Sequence, residues 1–142
     1  MVCLNWFQEA DRKIISWPLQ ATEAIQYIYS KEVVHYNVGI HNFLVQENDT
    51  FALVDFGGSC VNGNKSLEAG LLYYKQLTLA RDSDPTEMDD LFSLGMVIYK
   101  IKMEQIVYTG KSNSKICKFL ESWYFPDLAP LSLEWHIIVN KC

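Results

Sequence analysis

Cysteine is sparse in this chain and never paired. Cys3, Cys60, Cys117 and Cys142 are its four thiols. None stands in a Cys-x-x-Cys motif, which argues against a zinc knuckle or a disulfide framework. Scattered thiols of this kind point to a reducing compartment, so an intracellular protein of cytoplasm or nucleus is expected. Runs of Lys or Arg are absent, and the net charge is −5 with a pI near 5.1. A nucleic-acid partner, which would call for a basic patch, is therefore not expected. No apolar run approaches the roughly eighteen residues of a membrane span. Met1 to Glu9 lacks the basic region and long apolar stretch of a signal peptide. Repeats and low-complexity segments are missing too. The acids Asp82, Asp84, Glu87, Asp89 and Asp90 lack the glycine-containing spacing of a calcium loop. They read instead as acids gathered at a helix start. Ser93 has no Gly-x-Ser-x-Gly elbow around it.

What remains is a globular composition. The chain has 142 residues, 49% hydrophobic and 20% charged, enough for one domain with a core. Ser16-Trp17-Pro18 reads as a helix start, with proline in the first turn. Trp17, Ala21, Ala24, Ile25 and Ile28 recur at helical spacing, with Gln20, Glu23 and Gln26 opposite, and the helix should stop near Ser30-Lys31. Val33-Val34 is a short β-prone pair. Phe43–Val45 and Phe51–Val54 flank the turn residues Glu47-Asn48-Asp49-Thr50 and read as a hairpin. The double glycine Gly57-Gly58 suggests a sharp bend at positive φ. From Cys60 to Asp84 the pattern weakens into a long loop, with a turn at Asn62-Gly63-Asn64. Thr86 then caps a helix whose run Asp90–Ile101 is apolar nearly all round, the mark of a buried helix. A shorter helix covers Lys115–Glu121, and another begins near Leu133.

The most informative pattern is His35-Tyr36-Asn37-Val38-Gly39-Ile40-His41-Asn42, followed by Asp55-Phe56-Gly57. It resembles the catalytic loop and the metal-binding loop of a protein kinase, His-Arg-Asp-x-x-x-x-Asn and Asp-Phe-Gly. Asp90-Leu91-Phe92-Ser93-Leu94-Gly95 resembles the motif that opens the central buried helix of the large kinase lobe. Four such segments in family order cover roughly residues 14 to 140. The nearest variety is the fungal kinase-like proteins whose loop reads His-x-Asp-Ile-x-x-x-Asn. The fold implied is α+β, mainly α: a kinase-like C-terminal (large) lobe with a small hairpin. It forms a single partial domain over residues 1–142, with an activation-segment-like loop at about 55–84.

The resemblance also implies roles. Asn42 and Asp55 would hold magnesium, both being oxygen donors suited to a hard cation. Leu44 would lie under the adenine of ATP. His35 and Phe56 would stack in an apolar column, with Gly57 completing the loop. Asp90 would accept hydrogen bonds from the catalytic-loop backbone. His35, His41 and Asp55 as a separate metal triad are less expected than satisfied loop histidines. Ser66, Tyr73, Tyr74 and Thr78 are candidate phosphorylation positions in the activation segment.

Departures bear on activity. Asn37 stands where a kinase has the Asp that accepts the substrate hydroxyl proton. Tyr36 replaces the Arg that would pair with a phosphorylated activation loop, and Gln76-Leu77-Thr78 stands in place of Ala-Pro-Glu. No glycine-rich loop or Val-Ala-x-Lys strand precedes residue 14, so the small lobe and the last helix are expected to be missing. The expectation is a truncated, catalytically impaired pseudokinase, with weak or absent binding of ATP and magnesium, acting as a binding or regulatory module. The alternatives are an ATP-dependent phosphotransferase given by an incomplete gene model, and a non-functional remnant. The upper ends of the His35/Phe56 column, Leu44 and part of the buried helix should face water. Self-association, or a protein partner that covers this face, is expected in consequence.

Overall fold

The computed structural model describes residues 12–62, 86–122, 124–125 and 127–128, with side chains of the first helix described from Ser16 onward. The expected apolar patch at 71–74, most of the long loop, the hydroxyls at 66, 73, 74 and 78 and the helix near 133–140 lie outside the described residues. Among the described residues three helices and two small antiparallel sheets make an α+β arrangement.

Helix α1 spans Arg12–Tyr29. Its apolar face is the expected one, with Trp17, Ala21, Ile25 and Ile28 buried. Its start is not. Pro18 lies inside the helix rather than in its first turn. An interior proline removes one helical hydrogen bond, at a cost of about 3 kcal/mol. Pro18 and Trp17 are both buried, and burial of apolar surface opposes that cost. Gln20 also departs from its expected solvent side. Half-buried, it accepts the Phe51 N–H through Oε1 at 2.7 Å.

Strands β2 (Phe43–Val45) and β3 (Phe51–Leu53) form the expected hairpin. Phe43 faces Leu53, Leu44 faces Ala52 and Val45 faces Phe51. Alternation along a strand sends Phe43 and Phe51 to one face and Leu44 to the other. On the core face three rings stack: Trp17 on Phe51 at 5.3 Å and Phe51 on Phe43 at 4.5 Å. Strand β1 (Val33–Val34) has a partner that the sequence reading missed. Cys60–Val61, expected as loop, forms β4 and pairs antiparallel with it. Two residues are too few to show alternation.

Helix α2 (Glu87–Met103) packs across α1. Thr86 is its N-cap, and the Asp89 carboxylate accepts from the Thr86 N–H at 2.9 Å and from its hydroxyl at 2.8 Å. Every residue from Phe92 to Tyr99 is buried. The expectation that part of this helix faces water is therefore corrected. Helix α3 (Asn113–Glu121) starts two residues before the expected Lys115, directly after its N-cap Ser112, and buries Ile116 and Leu120. One apolar core joins α1, the hairpin, α2 and α3. No helix among the described residues is long and apolar enough to cross a membrane.

Candidate functional site

The site forms where the chain leaves β1 and doubles back beside the hairpin. The His35 N–H donates to Asp90 Oδ2 at 2.6 Å, and the Tyr36 N–H donates to Asp90 Oδ1 at 2.7 Å. One carboxylate at the start of α2 thus holds two successive amides of a loop 55 residues earlier. Asp90 is fully buried. Burial pushes its carboxyl up to about 6, against the two backbone donors that pull it down; the carboxylates of Asp89 and Glu87 add to the rise. Tyr36 takes a left-handed backbone, φ 61°. For a bulky side chain that costs about 1–3 kcal/mol and persists only where surroundings over-determine it. The Asp90 bond is one such restraint.

Asn37 follows, half-buried, and its carbonyl accepts the Asn42 side-chain N–H at 2.8 Å. The Asn42 N–H donates to Gly39 C=O at 2.9 Å, closing a single 3₁₀ turn over Ile40–Asn42. The Asn42 carbonyl in turn accepts the Val54 N–H at 2.8 Å. The loop and the end of the hairpin are thereby tied together, so Asn42 and the Val54-Asp55 segment are neighbours.

His35 is fully buried. Of the His35/Phe56 column it is the covered member. Its Nε2 lies 3.1 Å from the Val54 carbonyl, and the Ser59 hydroxyl donates to the His35 carbonyl at 3.3 Å. Phe56 meets the imidazole edge-on, with ring centroids 4.7 Å apart. Burial lowers the pKa of His35, outweighing the Val54 bond and the Asp55 charge that raise it. A neutral imidazole donating from Nε2 fits this environment. Its buried Nδ1 has no hydrogen-bond partner. Phe56 remains 45% exposed.

Asp55 is exposed and left-handed, φ 63° and ψ 72°. Its Oδ1 accepts the Gly57 N–H at 3.4 Å. The expected positive φ at the double glycine is corrected here. The left-handed residue is Asp55, while Gly57 and Gly58 form an ordinary 3₁₀ turn over Phe56–Gly58. Aspartate can take this conformation because its short polar side chain bonds locally. His41 is exposed; partial burial of its ring lowers its pKa, and the Asp55 charge opposes that. Among the described residues no three His, Cys, Asp or Glu side chains converge on a metal-sized point.

The donor chemistry at Asn42 and Asp55 fits magnesium. The Asn42 amide nitrogen is committed to the Asn37 carbonyl, which leaves its oxygen for other partners. The Asp55 carboxylate is solvent-accessible. Hard cations of this kind take one or two carboxylates, with phosphates and water completing the shell. Val54, Ser59 and Gln20 escaped the sequence reading. Val54 and Ser59 act on or through backbone groups, and Gln20 through an edge amide, contacts that side-chain pattern does not encode.

Comparison with known proteins agrees with this geometry. The family model for the protein kinase domain matches residues 5–133. A probable serine/threonine-protein kinase of Dictyostelium discoideum is 27% identical over 82% of this chain and 9% of its own length. A probable serine/threonine-protein kinase of Encephalitozoon cuniculi, a KIN1 homolog, is 38% identical over 58% of this chain and 15% of its own. Human mitogen-activated protein kinase kinase kinase 13 is 24% identical over 74% of this chain and 11% of its own. The chain thus spans a small part of the relatives it matches. With a family match over most of its residues and a loop braced from α2, the chain belongs to the protein kinase domain family.

Proposed function

We propose that this chain forms the large-lobe side of a kinase nucleotide cleft in which phosphate transfer is disabled at Asn37, and that it acts as a binding or regulatory module. One observation carries the reading. The loop around Asn37 is braced by Asp90, Asn42 and Val54, yet the side chain at its centre is a carboxamide. A carboxamide cannot accept a proton at neutral pH, and general-base assistance contributes about 10²–10⁴-fold. Asn42 and Asp55 are the residues that would hold magnesium. The ion would neutralise charge on the phosphates of ATP. Leu44, half-buried on the hairpin face opposite the ring stack, would lie under the adenine. Phe56 and Leu44 together mark the face that a second copy or a partner protein would cover.

A transferring kinase is the second reading. It is favoured by the presence of both Asn42 and Asp55, and by relatives named serine/threonine-protein kinases. Incorporation of labelled phosphate into the chain itself and into a generic protein substrate separates the two. The expected result is none, for the unmodified chain and for Asn37→Asp alike. Incorporation by the unmodified chain that vanishes in Asp55→Ala would establish the second reading instead.

A further inference from the structure

The charge of this acidic chain is unevenly placed. Between residues 100 and 118 stand Lys100, Lys102, Lys111, Lys115 and Lys118 against one acid, Glu104, in a chain whose net charge is −5. The Lys100 ammonium donates to the Glu104 carbonyl at the C-terminal end of α2 at 2.8 Å. Lys111, Lys115 and Lys118 are exposed. Among the described residues no carboxylate pairs with any of the three. Lys115 and Lys118 lie one turn apart on α3, on the side away from the buried Ile116 and Leu120.

The same surface carries aromatic rings. Phe119 lies between Tyr108, at 5.4 Å, and Tyr124, at 4.8 Å, and the Lys115 ammonium sits 5.7 Å from its centroid. The Lys111 N–H donates to the Tyr108 carbonyl at 3.0 Å, which anchors the third lysine beside the rings. The platform is pinned. The Tyr108 hydroxyl donates to the Tyr124 carbonyl at 2.6 Å, and the Tyr124 N–H donates to Phe119 C=O at 2.7 Å. Tyr124 nonetheless leaves 60% of its surface in water.

We propose that the turn after α2 and the outer side of α3 form a docking surface for a short acidic peptide segment bearing one aromatic or aliphatic side chain. Carboxylates would pair with Lys111, Lys115 and Lys118, and the apolar side chain would lie on Tyr124. Charge complementarity selects the class of partner. A long polyanion or an anionic membrane would also meet the acidic remainder of the chain and be repelled by it. A short segment can meet the three lysines, with Glu121, one turn on from Lys118, as the exposed acid of α3. The exposed ring adds an apolar contact that a bare phosphate would leave unused. This surface is separate from the Asn37 loop, and its occupancy does not depend on phosphate transfer.

The test is fluorescence anisotropy with the whole chain and a short labelled peptide of alternating Glu and Ser around one central Phe. Vesicles of phosphatidylserine and phosphatidylcholine, and an oligouridylate, form parallel arms. Binding of the peptide should weaken about tenfold or more in K111E/K115E/K118E. It should weaken several-fold when the peptide Phe becomes Ser, and fall as salt rises from about 50 to about 300 mM. If charge reversal disturbs the melting curve, K111Q/K115Q/K118Q replaces it, with the same direction expected. No peptide binding, equal binding by the lysine variants, or tighter binding to vesicles or RNA overturns the proposal.

Discussion

At neutral pH the buried Asp90 carboxylate is ionised and takes the His35 and Tyr36 amides at 2.6 and 2.7 Å. Bonds to a charged acceptor are the stronger kind, so the side chain matters to loop and fold together. Asp90→Ala leaves both amides without this acceptor and should destabilise the chain by about 3–5 kcal/mol, read from urea unfolding. The pH dependence has a definite sign. Folding raises the Asp90 pKa from 3.8 to about 6, so the folded state holds its proton more tightly than the unfolded chain does. The stabilisation from that proton is complete below the unfolded value and is lost as pH rises to about 6; above that the site adds no slope. Relative to Asp90→Asn, which cannot titrate, the unmodified chain should lose about 2 kcal/mol between pH 4 and pH 7. Parallel stability curves for the two proteins would refute this assignment. Gly57 behaves differently from what its sequence context suggested. A Cβ there would lie 3.4 Å from Asp55 Oδ1, ordinary contact, and the backbone is not left-handed. Gly57→Ala should therefore cost about 0.5 kcal/mol or less in the same measurement.

Among the elements, those with a long periodic or apolar pattern were legible from residues alone. The buried faces of α1 and α2 follow from the spacing of Trp17, Ala21, Ile25 and Ile28 and from the apolar run after Asp90. The hairpin follows from two short apolar runs about a polar turn. What sequence could not supply was pairing by short or irregular backbone: β4 against β1, the interior position of Pro18, and the left-handed Asp55. The candidate site shows the same division. Its residue types stood in the sequence, while the bonds from Val54 to the loop and to His35 run through its own backbone groups. Gln20 gives an element-scale prediction. Its side chain caps an edge amide of β3, joining helix to hairpin by one hydrogen bond. Gln20→Ala should cost about 1–2 kcal/mol, because the buried N–H loses its acceptor. The Phe51 amide should lose protection against hydrogen exchange more than amides of α2 do. Uniform loss across the chain would mean that Gln20 acts on global stability only. Within α2, Val97 and Ile98 are completely buried, and Ile98→Ala should cost about 2–5 kcal/mol by cavity formation.

At the scale of the whole molecule, among the described residues, apolar side chains are covered along the middle of α2 and open to water near the loop. Phe92 to Tyr99 are buried, so the middle of the helix leaves no patch in water, while Met88 in its first turn is exposed. Phe56 and Val61 remain 45% and 44% exposed, and Leu44 is half-buried on the hairpin's outer face. A bound adenine would therefore find apolar cover on one side among the described residues. Under the proposed function nucleotide binding is expected to be weak, and a titration of ATP with magnesium should leave the melting temperature nearly unchanged at sub-millimolar nucleotide. Magnesium-dependent stabilisation in that range would refute it. Under the proposed function the same exposed rim would be the surface that drives association. An apolar side chain such as Phe56 that stays in water forgoes the roughly 1.5–3 kcal/mol available from full burial. Contact with a second copy recovers part of that. The weight-average sedimentation coefficient should therefore rise with protein concentration, and Phe56→Glu should suppress the rise by placing a charge on the contact. Since Phe56 packs edge-on against His35, the melting curve of the variant must be taken alongside, to separate lost association from lost folding. A coefficient independent of concentration in the unmodified chain, with no binding of a hydrophobic dye, would show that this rim does not drive contact between copies.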